Sequence, residues 1–141
     1  DIDIIGINYP RNFGKGHAVT AGMKHTRGSY ILMLDADGAT EITDYEKLKT
    51  SLEKIKREDY AISIGSRNHL VQEVVSKRAW YRNFLMHVNN FFVHNLIGIK
   101  GIKDTQCGFK LFTRKAAHEI FFRMHLLRWA WDVEMLYIAG K

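Results

Sequence analysis

The sequence predicts an α/β domain: a mostly parallel sheet flanked by helices. Three observations predict it. A strand, a glycine-bearing loop, a short helix and a second strand follow one another within residues 2–34, and that order is the mark of a parallel sheet. Helix and strand patterns keep alternating beyond it. Lastly, the apolar run Tyr30-Ile31-Leu32-Met33-Leu34 leads directly into Asp35-Ala36-Asp37-Gly38. Two carboxylates then stand at a strand's C-terminal edge, where open α/β sheets bind ligands.

A chain of 141 residues, 46% hydrophobic and 26% charged, is one ordinary globular domain's worth. Its formal charge of +6 favours anionic partners: phosphates, an anionic membrane surface or nucleic acid. Nucleic acid is disfavoured, because the basic residues are not interleaved with aromatics in any module pattern. The single Cys107 excludes an internal disulfide. No apolar run reaches membrane-spanning length. The chain opens in a strand-like run without Met and stops at Ala139-Gly140-Lys141. The expectation is a fragment, residues 1–141 of one catalytic domain truncated at both ends.

In order, Ile2 to Ile7 reads as a buried strand, and residues 8–16 as a polar loop. His17 to Thr26 reads as a short helix with Ala18, Ala21 and Gly22 on one face, stopped by Arg27-Gly28. Tyr30 to Leu34 is the next strand. Thr43 and Glu46 have capping-box spacing, opening a helix striped by Tyr45, Leu48, Leu52 and Ile55. Tyr60 to Gly65 is a strand ending in Ser66-Arg67. A loop over 68–75 leads to a long helical pattern over 76–97. Phe109 to Phe112 is a short strand, Thr113 caps a helix carrying Ala116, Ala117, Ile120 and Phe121, and Trp129 to Ala139 is a last helix.

The chemistry gathers at loops. Asp35 and Asp37 repel each other unless a cation lies between them, which points to a divalent metal and a phosphate ligand; a solvated turn is the alternative. Asn12-Phe13-Gly14-Lys15-Gly16 joins strand to helix. Gly14 and Gly16 would let backbone N–H groups approach a phosphate, and Lys15 adds a full charge; otherwise this is a tight connecting turn. Arg67 is expected at the same edge as the acids, to bind phosphate or to pair with a carboxylate. Lys77, Arg78 and Arg82 begin the long helix, against its dipole, so an anion or a solvated basic face explains them. The aromatics that follow exceed a single stripe, which favours a helix lying in a bilayer interface over a core helix. Asp104 is placed to act as a base or to orient an acceptor. Cys107 reads as a packing residue, Asp132 as a cap or a further site acid, and the seven histidines lack zinc spacing.

Five motifs stand in one order: Arg11-Asn12-Phe13-Gly14-Lys15-Gly16, Asp35-Ala36-Asp37-Gly38-Ala39-Thr40, Gly65-Ser66-Arg67, Asp104-Thr105-Gln106-Cys107-Gly108-Phe109-Lys110-Leu111-Phe112 and Trp131-Asp132-Val133-Glu134. Together they resemble the family 2 glycosyltransferases of the GT-A fold, a Rossmann-like arrangement. The resemblance covers nearly the whole chain. It implies an inverting transfer of glucose from UDP-glucose to dolichyl phosphate, serving protein N-glycosylation. It also implies an endoplasmic reticulum membrane location with the catalytic domain facing the cytoplasm.

On this resemblance Asn12, Gly14, Lys15, Gly16 and Asp35 bind the donor. Asp35 and Asp37 hold Mg2+ or Mn2+, Arg67, Arg78 and Arg82 bind the acceptor phosphate, and Asp104 with Asp37 is catalytic. Mannose synthases of the same family place Leu and a metal-binding Gln where Gly38 and Ala39 stand here, so substrate oxygens and water complete the metal shell. The membrane surface is the expected partner, with no nucleic acid. A GDP-mannose enzyme, a bacterial undecaprenyl-phosphate enzyme and a basic binding module are the alternatives.

Overall fold

The computed structural model describes residues 3–38, 40–66 and 105–141. Strand β1 (Tyr30–Leu34), strand β2 (Ile62–Ile64) and strand β3 (Phe109–Thr113) form one sheet in the order β1-β3-β2. Both ladders are antiparallel: Leu32 faces Leu111 across one, and Ser63 faces Leu111 across the other. The α/β class is as expected. The mostly parallel pairing is not what the described residues show. β1 and β2 do run the same way, but β3 enters between them in the opposite sense.

Helix α1 (Lys15–His25), helix α2 (Tyr45–Ile55), helix α3 (Arg114–Arg123) and helix α4 (Trp131–Ala139) cover the sheet. The two-residue period of the strands divides the core. Ile31, Met33 and Phe112 pack with Met23 of α1, Phe121 of α3 and Met135 of α4. Phe109 and Leu111 pack on the other face with Leu48 and Leu52 of α2. Leu52 is fully buried, so truncating it to Ala would cost about 2–5 kcal/mol.

Thr113 caps α3 as its sequence position predicts: its hydroxyl accepts from Ala116 N–H at 3.4 Å. It also accepts from Ala61 N–H at 3.2 Å, so one side chain ties the helix start to the strand next door.

Several expectations are corrected. Residues 3–7 form no strand, and Ile4 and Ile5 are exposed. Their apolar character supplies propensity, but a strand needs a pairing neighbour, and no described strand offers them one. The Thr43–Glu46 capping box does not form. A short 3-10 turn over Ile42–Asp44 delivers the chain to α2, and Lys47 bonds Asp44 at 2.5 Å. Ile55 ends α2 exposed rather than on its buried stripe. α1 starts at Lys15, two residues earlier than expected. The loop over 68–75, the helix over 76–97, and Arg67, Lys77, Arg78, Arg82 and Asp104 lie outside the described residues.

Candidate functional site

Asp35 follows the last residue of β1. Its N–H donates to Gly108 C=O at 2.9 Å, and Gly65 N–H donates to Phe109 C=O at 2.8 Å. The ends of β1 and β2 thus flank the start of β3 at one sheet edge. There the Lys15 ammonium donates to Asp35 Oδ2 at 2.7 Å. α1 begins at Lys15, so this ion pair links a helix start to a strand end. Asp37 sits two residues on, exposed in the turn that leaves the strand. The structure therefore brings Lys15 to the edge where the sequence places Asp35 and Asp37.

The glycines of the loop have a packing explanation. Gly14 has φ of +99°, and its N–H donates to Asn12 Oδ1 at 2.8 Å. A side chain at Gly14 would stand 2.6 Å from Leu127 O and 2.9 Å from Arg128 Cγ. One at Gly16 would stand 2.7 Å from Trp131 Cβ. The two glycines admit the segment 126–131, which is fastened further by His17 N–H donating to Leu127 C=O at 3.0 Å. That segment is also held to α4, where Glu134 accepts from the N–H groups of His125 and Leu126 at 3.0 and 2.7 Å.

Between them these parts enclose a cleft of about 350 Å³ lined by Asn12, Gly14, Lys15, Gln106, Arg128, Trp129, Trp131 and Asp132. Asp132 does not cap α4. Ala130 holds the cap position, and the Asp132 carboxylate turns inward to Lys110 of β3 at 2.7 Å. Burial pushes the Asp132 carboxyl above its ordinary value, and the Lys110 charge draws it back. Cys107 is buried, as its packing reading predicts, and its C=O accepts from Lys110 at 2.6 Å.

The sequence profile described as Glycosyl transferase family 2 matches residues 1–121. The chain belongs to glycosyl transferase family 2. Within curated proteins, this family 2 chain is 52% identical over 132 residues to a protein named dolichyl-phosphate beta-glucosyltransferase from Dictyostelium discoideum, covering 93% of the chain and 40% of the relative. Proteins of the same name from Mus musculus and Homo sapiens are 51% and 49% identical over 135 residues, each covering 94% of the chain and 41% of the relative. The chain spans about two fifths of the length of these relatives. No solved structure matches it significantly.

The donor set of this family 2 site suits a hard divalent cation. Asp35 and Asp37 offer carboxylate oxygens, which Mg2+ and Mn2+ prefer. Among the described residues no group of three or more His, Cys, Asp or Glu gathers around one point.

Reading the sequence alone set Gly108 in a motif without its role beside Asp35, and missed Arg128, Trp129 and the pairing of Lys110 with Asp132. A signal for the pairing was present: Lys110 interrupts Phe109-Lys110-Leu111-Phe112, a strand buried at every position. A charge inside such a strand needs a partner.

Proposed function

We propose that this chain contributes the catalytic edge of an enzyme that transfers glucose from UDP-glucose to dolichyl phosphate. The observation that carries this reading is identity of 46–52% to proteins of that name, from Saccharomyces cerevisiae to Dictyostelium discoideum, over more than nine tenths of the chain. The geometry is consistent with it. A lysine at a helix start, beside a strand-end carboxylate pair and a cleft with tryptophan walls, suits a sugar bearing a diphosphate.

The chemistry follows from charge. Negative charge grows on the diphosphate as the sugar leaves. Lys15, fixed against Asp35, presents a positive charge where that leaving group would lie. Asp37 and Asp35 would hold a divalent cation, whose charge would further neutralise the diphosphate. The acceptor is an anionic phosphate, nucleophilic without strong base help, so it needs positioning and charge screening. Arg67, Arg78 and Arg82 are the residues proposed for that, with Asp104 orienting the acceptor. In-line attack inverts the sugar carbon. A lipid acceptor places the reaction at a membrane, and we assign it to the cytoplasmic face of the endoplasmic reticulum.

The test uses full-length protein in membranes, dolichyl phosphate and labelled sugar nucleotides. Label should pass from UDP-glucose to the lipid as the β-anomer, and chelation should stop it. Transfer from GDP-mannose with none from UDP-glucose would overturn the donor assignment. Lipid labelling that survives chelator would remove the metal.

A further inference from the structure

Lys110 and Asp132 are the only charged residues buried among the described ones. The ammonium has no exposed side-chain surface. It donates to Asp132 Oδ1 and to Cys107 C=O, and it stands 5.0 Å from the centre of the Trp131 ring. Stability alone is a weak reason for such a pair. Desolvation of both ions consumes most of their attraction, and apolar replacements of equal volume are often as stable. The neighbours Phe109, Leu111 and Phe112 show that this strand readily takes apolar residues.

A second observation gives the pair a use. Asp132 and Trp131 line the same cleft as Lys15. With one oxygen anchored by a buried ammonium, the Asp132 carboxylate is locked in orientation. A carboxylate accepts hydroxyl hydrogens and repels phosphate, while the exposed indole of Trp129 in the same cleft offers its face to the C–H face of a sugar ring. The cleft therefore carries two kinds of group, a cation at Lys15 and a hydroxyl acceptor at Asp132.

We propose that Asp132 is the sugar-binding carboxylate of this cleft, accepting a hydroxyl of the donor hexose, and that buried Lys110 is its positioning residue. This rests on the glycosyl-transfer reading and names the group that reads the sugar.

The test measures binding of UDP and of UDP-glucose separately to full-length protein. Asp132→Asn and the double variant Lys110→Met/Asp132→Leu should bind UDP within about twofold of wild type, and UDP-glucose about ten- to hundredfold more weakly. Lys110→Arg should keep more UDP-glucose affinity than Lys110→Met. The double variant removes both charges, so a merely structural pair would leave its UDP-glucose affinity intact, and that result overturns the proposal. Wild type itself supplies a measurement free of folding effects. Among UDP-deoxyglucose analogues, loss of one particular hydroxyl should weaken binding about tenfold or more. Equal binding of every analogue overturns the proposal alone. A wild-type protein that binds UDP but no UDP-glucose overturns the glycosyl-transfer reading with it.

Discussion

The Asp35 side chain lies over Gly108, in the space that any side chain at position 108 would need. A Cβ built there would stand 2.7 Å from Asp35 Cβ and closer still to the carboxylate. Asp35 in turn donates its N–H to Gly108 C=O. The acid that Lys15 holds is therefore aimed by the absence of a side chain 73 residues away in sequence. Gly108→Ala should destabilise the protein by about 1–3 kcal/mol through overpacking. It should also lower transfer activity by displacing Asp35. Thermal unfolding and the lipid-labelling assay measure the two effects; an unchanged melting temperature would contradict the contact.

Lys15→Ala separates stability from function. The Lys15 side chain is 51% exposed, so its ion pair with Asp35 is screened by water. Such a pair contributes at most about 1 kcal/mol. Chemical denaturation should move by less than that, while transfer should fall roughly a hundredfold with the loss of a charge on the leaving group. A parallel loss of stability and activity would make Lys15 structural.

Asp37→Ala should leave folding unchanged, because Asp37 is exposed. Transfer should drop to the level seen with chelator, and added Mg2+ or Mn2+ should fail to restore it. Full activity in this variant would remove Asp37 from the metal site.

Thr113→Val should cost about 1–2 kcal/mol, since it removes the α3 cap together with the bond to Ala61 N–H. The loss should be stability alone, read as a lower denaturation midpoint with unchanged UDP affinity.

The pH dependence of stability should carry the mark of Asp132. Burial raises its carboxyl above 3.8, with Asp35 pushing the same way and Lys110 and Lys15 opposing. The folded chain thus holds this proton more tightly than the unfolded chain. Between 3.8 and the raised value, the unfolded state binds fewer protons, so this group's stability contribution falls as pH rises through that window. Relative to Asp132→Asn, wild type should lose stability on going from acid toward neutral pH. A rise instead would mean that the Lys110 attraction outweighs burial.

Local patterns made several elements legible. β1, β3, α2, α3 and α4 announce themselves through apolar spacing, and Thr113 through its cap position. Asp35 and Asp37 are legible at a strand's C-terminal edge because they directly follow the apolar run of β1, while the arrival of Lys15 beside them is a finding of the structure. Residues 3–7 misled, because an apolar run predicts a strand without supplying its neighbour. The capping box misled because a 3-10 turn offered the chain another way into α2.

The sequence by itself determined the α/β class, the family and the identity of the acids at the strand edge. These follow from periodicity and from short ordered motifs. Only the tertiary structure decided that β3 runs antiparallel between β1 and β2, that Gly14, Gly16 and Gly108 are vacated for particular neighbours, and that Lys110 meets Asp132. The reason is physical. Pairings across 22 or more residues depend on which backbones approach one another in space, and a linear pattern records each residue's preference but not its partner.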